Sequence, residues 1–279
     1  MTTRWEYSGR RTDMQRQRRT GPGYDALRRA KTRVLRGPRR WLKQWATREI
    51  GRRTKSVVAS GPFAGMKFVE RHVFGGLMPK LLGTYEKELH QVVSAFATSR
   101  FDGVINIGAG EGYYAVGLAR LLPHLPVVAY EALEEGRELI GIVARANAVS
   151  DRLDIRGTCT REGLESLLRR DKRYLIVCDV EGAEVDLFHP STIELVRSSV
   201  LLMESHDFRV PGCTEEMTRR FEPTHVVVTV VSRDRQSADF PLPFAIPDRI
   251  KVWVMNEGRP REPPMRWLVM TPRFPAARV

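Results

Sequence analysis

Residues 104–120 read VINIGAGEGYYAVGLAR, an apolar run followed by a glycine-rich turn and an amphipathic pattern. The apolar run at 104–107 predicts a buried strand, and the helical spacing after the turn predicts a helix from about residue 113 to 122. A strand, a tight turn and a helix in this order are typical of the first unit of a parallel sheet covered by helices.

The same alternation continues on both sides of this stretch. Short apolar runs predict six further strands, at 126–131, 152–156, 174–179, 199–205, 225–231 and 266–270. Amphipathic patterns predict helices at 86–98, 134–147, 161–170, 183–196 and 213–221. Near-continuous apolar strands separated by such helices predict a doubly wound α/β domain with a mostly parallel sheet.

Composition agrees with a folded, reduced protein. The chain has 279 residues, 42% of them hydrophobic, which is enough for one large domain or two small ones. The spacing of Cys159, Cys178 and Cys213 fits neither a disulfide framework nor a CxxC metal site, so we expect a cytoplasmic location. No apolar run approaches 18 residues, and the first 20 residues lack a hydrophobic centre, so we expect neither a membrane span nor secretion.

The positive charge is confined to the beginning of the chain. The net charge is +13, yet residues 1–55 alone carry 18 Lys and Arg against four acids, a net of +14. The remainder is therefore close to neutral. We predict a basic extension over residues 1–56, helical or disordered, and a separate domain over residues 57–279.

Three interpretations of this extension remain open. Apolar residues recur at roughly helical spacing between Tyr24 and Arg36, and Trp41 and Trp45 lie one turn apart, so two short basic helices are plausible. Such helices could fold against the domain, lie on an anionic membrane surface or contact a nucleic-acid backbone. The case for nucleic acid is the weakest, because no other feature of the chain supports it.

The turn at 108–112 reads GAGEG and indicates a nucleotide-like ligand. It departs from the dinucleotide fingerprint GxGxxG because the sixth position is Tyr113. Glycines still allow a backbone to pass close to a ligand. Glu131 ends the next predicted strand, where its two carboxylate oxygens can accept both hydroxyls of a ribose.

Several segments together resemble a known enzyme family. The stretch at 104–120, the acid in VVAYEA, LIVCDVEGAEVDLF at 175–188 and VLLMESHDF at 200–208 are similar to FkbM-type S-adenosylmethionine-dependent methyltransferases. Gly83-Thr84-Tyr85-Glu86 also resembles a segment that this family often carries before its first strand. The resemblance covers about residues 57–275 and implies a seven-stranded Rossmann-like sheet whose last strand is antiparallel.

The resemblance also implies where the cofactor S-adenosylmethionine would bind. The implied contacts are Glu86, Asn106, Gly108, Ala109, Gly110, Tyr113, Glu131, Thr158, Cys159 and Asp179. Thr158 and Cys159 would border the adenine. Asn106 departs from the family, which commonly has an acid there for the methionyl ammonium, and its amide oxygen accepts a hydrogen bond without charge assistance.

Acidic residues follow the fourth and fifth predicted strands, whose carboxyl ends should face one cleft. A hydroxyl acceptor needs a base or a metal ion, and His206 is the candidate base, with Asp179 as its orienter or as an alternative base. Asp179 and Glu204, with His206 as a further ligand, would suit Mg²⁺ or Mn²⁺.

The acceptor is expected to be a small hydroxylated molecule or a glycan. The chain lacks the Asn/Asp-Pro-Pro-aromatic motif of many amine methyltransferases, and Pro precedes neither Cys178 nor Cys159 as carbon methylation would require. The connection between the last two strands, including Trp253, Glu257 and Arg259, is where acceptor contacts are expected. The alternative is a non-catalytic protein of the same fold, tethered to a membrane or RNA through its basic extension.

Binding measurements on the full chain and on a chain beginning at Ser56 discriminate among the interpretations of the extension. If the extension is an anchor, we expect the shorter chain to lose salt-sensitive binding to anionic vesicles or to RNA. Unchanged affinities for both would leave only the folded-back extension.

Overall fold

The computed structural model describes residues 41–42, 44–69, 76–259 and 264–273. The chain divides into two compact units, residues 1–45 and residues 46–279. The second unit thus begins earlier than the predicted domain boundary at residue 57. The predicted helix between Tyr24 and Arg36 lies outside the described residues, whereas Trp41 and Trp45 are helical, with 64% and 38% of their surfaces exposed.

Seven strands form one sheet in the second unit, as predicted. In chain order, β1 to β7 span Gly103–Ile107, Val127–Tyr130, Leu153–Arg156, Tyr174–Cys178, Val200–Ser205, His225–Val231 and Arg266–Pro272. They lie in the order β3-β2-β1-β4-β5-β7-β6. Only β7 runs antiparallel to its neighbours, β5 and β6. This arrangement confirms the predicted fold class and the antiparallel last strand.

Helices cover both faces of this sheet. Residues 44–54 form α1, and α2 to α10 span Leu77–Leu82, His90–Ala95, Tyr113–Leu121, Glu134–Ala146, Arg161–Leu167, Glu184–Leu187, Pro190–Leu195, Cys213–Phe221 and Asp248–Val254. Among the described residues, no helix has the length and apolar character needed to cross a bilayer.

The core has two parts, one on each face of the sheet. All five residues of β1 are buried, and alternate side chains point to opposite faces. Val104 packs in a cluster with α4 and α5, whereas Ile105 packs in a cluster with α6, α8 and α9. Asn106 follows the same alternation and therefore points to the face that α4 and α5 cover.

Two predicted helices are interrupted in the structure. The segment predicted at 86–98 begins and ends with 3₁₀ turns, Lys87–Leu89 and Phe96–Thr98, around the short helix α3. The segment predicted at 183–196 is split into α7 and α8 because Pro190 lacks an N–H group and holds His189 in an extended conformation. Neither α2 nor α10 was predicted, and Lys80 of α2 lines the site.

Candidate functional site

The turn between β1 and α4 is built from glycines for a steric reason. Gly108 has a φ of +76°, and a Cβ atom there would lie 1.7 Å from the carbonyl oxygen of Asp179. The amides of Gly108 and Ala109 both donate to the carbonyl oxygen of Tyr130, at 2.9 Å. The turn is therefore fixed between the ends of β2 and β4, at the point where the strand order reverses.

Glu131 faces this turn from the end of β2. One carboxylate oxygen accepts the Gly110 amide at 2.8 Å, and the other accepts the Leu133 amide at 2.8 Å. The side chain is buried but lines the cavity described next. Since a carboxylate offers about four acceptor positions, each oxygen keeps capacity for a further donor. This position is the one predicted from the sequence.

A cavity of about 670 Å³ opens at the carboxyl ends of β1, β2, β4 and β5. This volume lies within the range of small-molecule and cofactor sites. The structure brings nearly all of the predicted site residues to its wall, namely Asn106, Gly108, Ala109, Gly110, Tyr113, Glu131, Thr158, Cys159, Asp179, Glu204 and His206.

Glu86 is the exception among the predicted cofactor contacts. It does not line the cavity but is buried behind it, where Tyr114 and Arg259 hold its two carboxylate oxygens. Burial raises its pKa to about 7, although the Arg259 guanidinium opposes that rise. Glu86 therefore supports the wall, which differs from its predicted role as a direct contact.

Asn106 presents an unsatisfied polar atom to the cavity. Its side-chain amide donates to the carbonyl oxygen of Val177 at 3.4 Å. Its oxygen Oδ1 is buried and accepts no hydrogen bond from any residue that the structure describes. Burying an acceptor without a donor costs about 1–3 kcal/mol, so this oxygen is suited to a ligand donor.

Two further predicted contacts, Thr158 and Cys159, line the cavity immediately before α6. The neighbouring Thr160 caps that helix, accepting the Gly163 amide at 3.1 Å. Burial raises the pKa of the Cys159 thiol to about 12. The thiol is therefore protonated near neutral pH and suits apolar contact better than nucleophilic chemistry.

His206 lies between carboxylates. Its Nδ1 is 2.6 Å from Glu184, and its Nε2 is 3.3 Å from Asp179. Burial disfavours its charged form, but the hydrogen bonds to Asp179 and Glu184 outweigh that effect and raise its pKa to about 10. A general base must be unprotonated, and a pKa of about 10 favours the imidazolium at neutral pH, so the role of His206 as the base stays a prediction.

The predicted metal ligands Asp179 and Glu204 both approach Nε2 of His206, at 3.3 and 3.8 Å. Among the described residues, Asp179, Glu181 and His206 place one potential ligand atom each within 4.8 Å of one another. Glu204 is outside this group, and Arg259 binds its other carboxylate oxygen. Burial is the main cause that raises the pKa of Glu204 well above its usual value. The metal role of Asp179 and Glu204 stays a prediction, and Glu181 is a further candidate ligand.

The connection between β6 and β7 reaches the cavity as predicted. Glu257 and Arg259 both line it, and the Arg259 guanidinium also binds Glu86 and Glu204. Arg259 therefore joins three parts of the chain that are remote in sequence. Of the other residues predicted there, Trp253 does not line the cavity.

Three further residues of the site had no individual role assigned from the sequence. Lys80 and Glu111 form a buried ion pair at the cavity wall, and Glu184 orients His206. Glu184 belongs to the acidic stretch after β4 and was visible as a candidate there. Lys80 lies in α2, a helix that was not predicted, so no pattern pointed to it.

Comparisons with known proteins identify methyltransferases among similar folds. No protein-family model matches the chain. No curated protein matches it either. Similar solved structures include a protein from Klebsiella pneumoniae assigned to the O-methyltransferases (TM-score 0.46, 11% identity, 81% of this chain and 87% of that chain).

Two other similar structures are an O-methyltransferase from Bacillus cereus in complex with S-adenosylhomocysteine and a precorrin-6y C5,15-methyltransferase from Geobacter metallireducens. The first has a TM-score of 0.44 at 13% identity, and the match covers 68% of this chain and 81% of the B. cereus chain. The second has a TM-score of 0.41 at 15% identity, and the match covers 65% of this chain and 88% of the G. metallireducens chain. Because these scores are low, the function proposed below rests on the site itself.

The titration of Glu86 predicts a specific pH dependence of stability. Its folded pKa of about 7 exceeds the usual value of 4.5, so its proton-linked stabilisation is complete below pH 4.5 and is lost as the pH rises through 7. We expect Glu86→Gln to remove this fall, worth at most about 3 kcal/mol, from urea unfolding measured between pH 5 and pH 8. The exposed Glu138→Gln is the control, and an unchanged slope in Glu86→Gln would refute the assignment.

Proposed function

We propose that this chain is an S-adenosylmethionine-dependent methyltransferase of the FkbM type that methylates a hydroxyl group of a small molecule or glycan. The observation that carries the proposal is the pairing of Glu131 with the glycine turn at the wall of one cavity. The unsatisfied oxygen of Asn106 on the same wall supports it. These groups suit a ligand with a ribose and a nearby ammonium.

The residues present fit the proposed cofactor. Glu131 would accept the ribose hydroxyls, Asn106 the ammonium, and the backbone of Gly108 and Gly110 would allow close approach. Thr158 and Cys159 would border the base. When bound, the cofactor would supply an electrophilic methyl group on a positively charged sulfur.

The chain's own groups would position the acceptor and manage its proton. A hydroxyl has a high pKa and must lose its proton as it is methylated. Asp179 is the proposed proton acceptor, since it lines the cavity beside His206, which is already charged at neutral pH. Glu184 fixes the ring of His206, which in turn orients the Asp179 carboxylate.

Phe208 supports a ring-shaped acceptor. It lines the cavity and is 42% exposed, so its ring is accessible to a ligand. Its ring contacts the ring of His206, with centroids 5.7 Å apart. An aromatic face next to carboxylates suits a hydroxylated ring, because the carboxylates can accept hydrogen bonds from its hydroxyls.

The donor set of Asp179, Glu181 and His206 also fits a divalent cation such as Mg²⁺ or Mn²⁺. Glu184 contacts Nδ1 of His206, so Nε2 faces Asp179 and Glu181. A metal-binding imidazole usually has such a carboxylate on the ring nitrogen that does not bind the metal. Such an ion would act as a Lewis acid and lower the pKa of a bound hydroxyl. It would also require His206 to lose its Nε2 proton.

The alternative function is a non-catalytic binding protein that retains the fold and is tethered through its basic extension. The exposed Trp41 and Trp45 favour an anionic membrane surface as the tethering partner. The intact pairing of Glu131 and the glycine turn favours catalysis instead.

Calorimetry with S-adenosylhomocysteine tests the proposal. We expect the wild-type chain to bind it and Glu131→Ala to lower the affinity at least about 10-fold, because a charge-assisted pair of hydrogen bonds is lost. The matched control is Glu134→Ala, which removes an exposed acid three residues away. Melting temperatures show whether Glu131→Ala remains folded after losing its bonds to Gly110 and Leu133.

Radiolabelled S-adenosylmethionine with fractionated hydroxylated metabolites then separates the two functions. The enzymatic function is supported if the wild-type chain transfers the label and Asp179→Asn does not, although Asp179→Asn still binds the cofactor with wild-type affinity. Cofactor binding without transfer to any fraction favours the non-catalytic protein, and no cofactor binding by the wild-type chain refutes the proposal.

Titration with Mn²⁺ tests the cation site. We expect one ion to bind with release of a proton, more tightly as the pH rises, because the cation replaces the proton of His206. Glu181→Gln should weaken binding about 10-fold, whereas Glu204→Gln and the exposed Glu215→Gln should not. Equal weakening by Glu204→Gln would restore the ligand set predicted from the sequence, and the absence of binding would refute a metal role.

A further inference from the structure

We propose that the buried ion pair of Lys80 and Glu111 binds the amino-acid end of the methyl donor, Lys80 taking its carboxylate and Glu111 its ammonium. This inference rests on the proposed function and deepens it, because it assigns the recognition of one part of the cofactor. It also distinguishes this ligand from nucleosides that lack an amino-acid group.

The pair lies on the glycine-turn side of the cavity. Lys80 belongs to α2, and Glu111 is the fourth residue of the turn at 108–112. Their Nζ and Oε2 atoms are 2.8 Å apart, and their side chains are only 5% and 1% exposed. Both residues line the cavity. A positive and a negative group are thus held side by side where the donor would enter.

An ion pair buried between two segments has a high cost in desolvation free energy. Removing two charges from water costs several kcal/mol each, and apolar residues of similar volume often stabilise a protein equally well. A buried pair at a cavity wall is better explained if a ligand of complementary charge uses it. A free amino-acid group, with adjacent carboxylate and ammonium, has that complementarity.

Asn106 is an independent observation pointing the same way. Its buried Oδ1 finds no donor among the described residues and faces the same cavity. An ammonium would satisfy this oxygen, but an amide oxygen supplies no negative charge. Glu111, five positions later in the chain, supplies the charge that Asn106 lacks.

The other cations of the cavity wall are committed elsewhere. Arg259 is bound by the carboxylates of Glu86, Glu204 and Glu257. His206 lies between Asp179 and Glu184. Among the described residues of the cavity wall, Lys80 is the cation whose ion pair includes a residue of the glycine turn.

The test compares S-adenosylhomocysteine with 5′-methylthioadenosine, which has the same nucleoside but no amino-acid group. We expect the wild-type chain to prefer S-adenosylhomocysteine by at least about 10-fold, the contribution of one charge-assisted hydrogen bond or more. The double variant Lys80→Met/Glu111→Gln removes both charges of the pair together. It should lose this preference while its affinity for 5′-methylthioadenosine changes less than about twofold.

Lys87→Met is the control, because Lys87 forms an ion pair with Asp239 away from the cavity wall. It should retain the full preference. If the double variant does not fold, Lys80→Arg with Glu111→Asp retains both charges at altered reach and should lower the preference without affecting 5′-methylthioadenosine.

The outcomes separate this inference from the proposed function. The folded double variant could lose affinity for both ligands equally, or it could keep the wild-type preference for S-adenosylhomocysteine. Either result would assign the ion pair a structural role and overturn this inference without affecting the proposed function. Equal binding of both ligands by the wild-type chain would also overturn it. Failure of the wild-type chain to bind either ligand would refute the proposed function as well.

Discussion

The close approach of two backbone segments at Gly108 is the constraint on which the site depends. A side chain at this position would collide with the carbonyl oxygen of Asp179, and the backbone has a φ that L-residues rarely adopt. Because Gly108 permits this contact, the turn after β1 and the loop after β4 meet at one cavity. The glycine turn, Glu131 and the acidic groups are consequently within one site rather than on separate surface loops.

The two sides of this cavity have different electrostatic designs. On the glycine-turn side, backbone amides hold Glu131 in place, so its orientation does not depend on flexible side chains. On the β4 and β5 side, His206 and Arg259 are internal cations that offset a larger number of carboxylates. Side chains rather than backbone amides therefore fix the charged groups on this side.

Local sequence patterns were sufficient for the sheet and for the strand-end residues. Each apolar run became a strand within two residues of its predicted bounds, because a buried parallel strand needs a continuous apolar stretch. The glycine turn and Glu131 were found for the same reason, since they follow strands directly. The break between α7 and α8 also has a local cause, Pro190. It was not predicted, because apolar residues recur at helical spacing on both sides of this proline.

Long-range contacts determined what the sequence could not reveal. Glu184, 22 positions earlier, contacts the ring of His206, and Arg259 binds one carboxylate oxygen of Glu204, 55 positions earlier. Arg259 also contacts Glu86, 173 positions away. No spacing rule connects such residues, because the fold alone brings them together.

A crystal structure of the chain with S-adenosylhomocysteine tests most directly whether Glu131 binds the ribose of the cofactor. We expect the two ribose hydroxyls to donate to the Glu131 carboxylate at about 2.5–3.0 Å, with the nucleoside packed against the turn at 108–112. A ribose bound by other residues, or an adenosyl group outside this cavity, would contradict it.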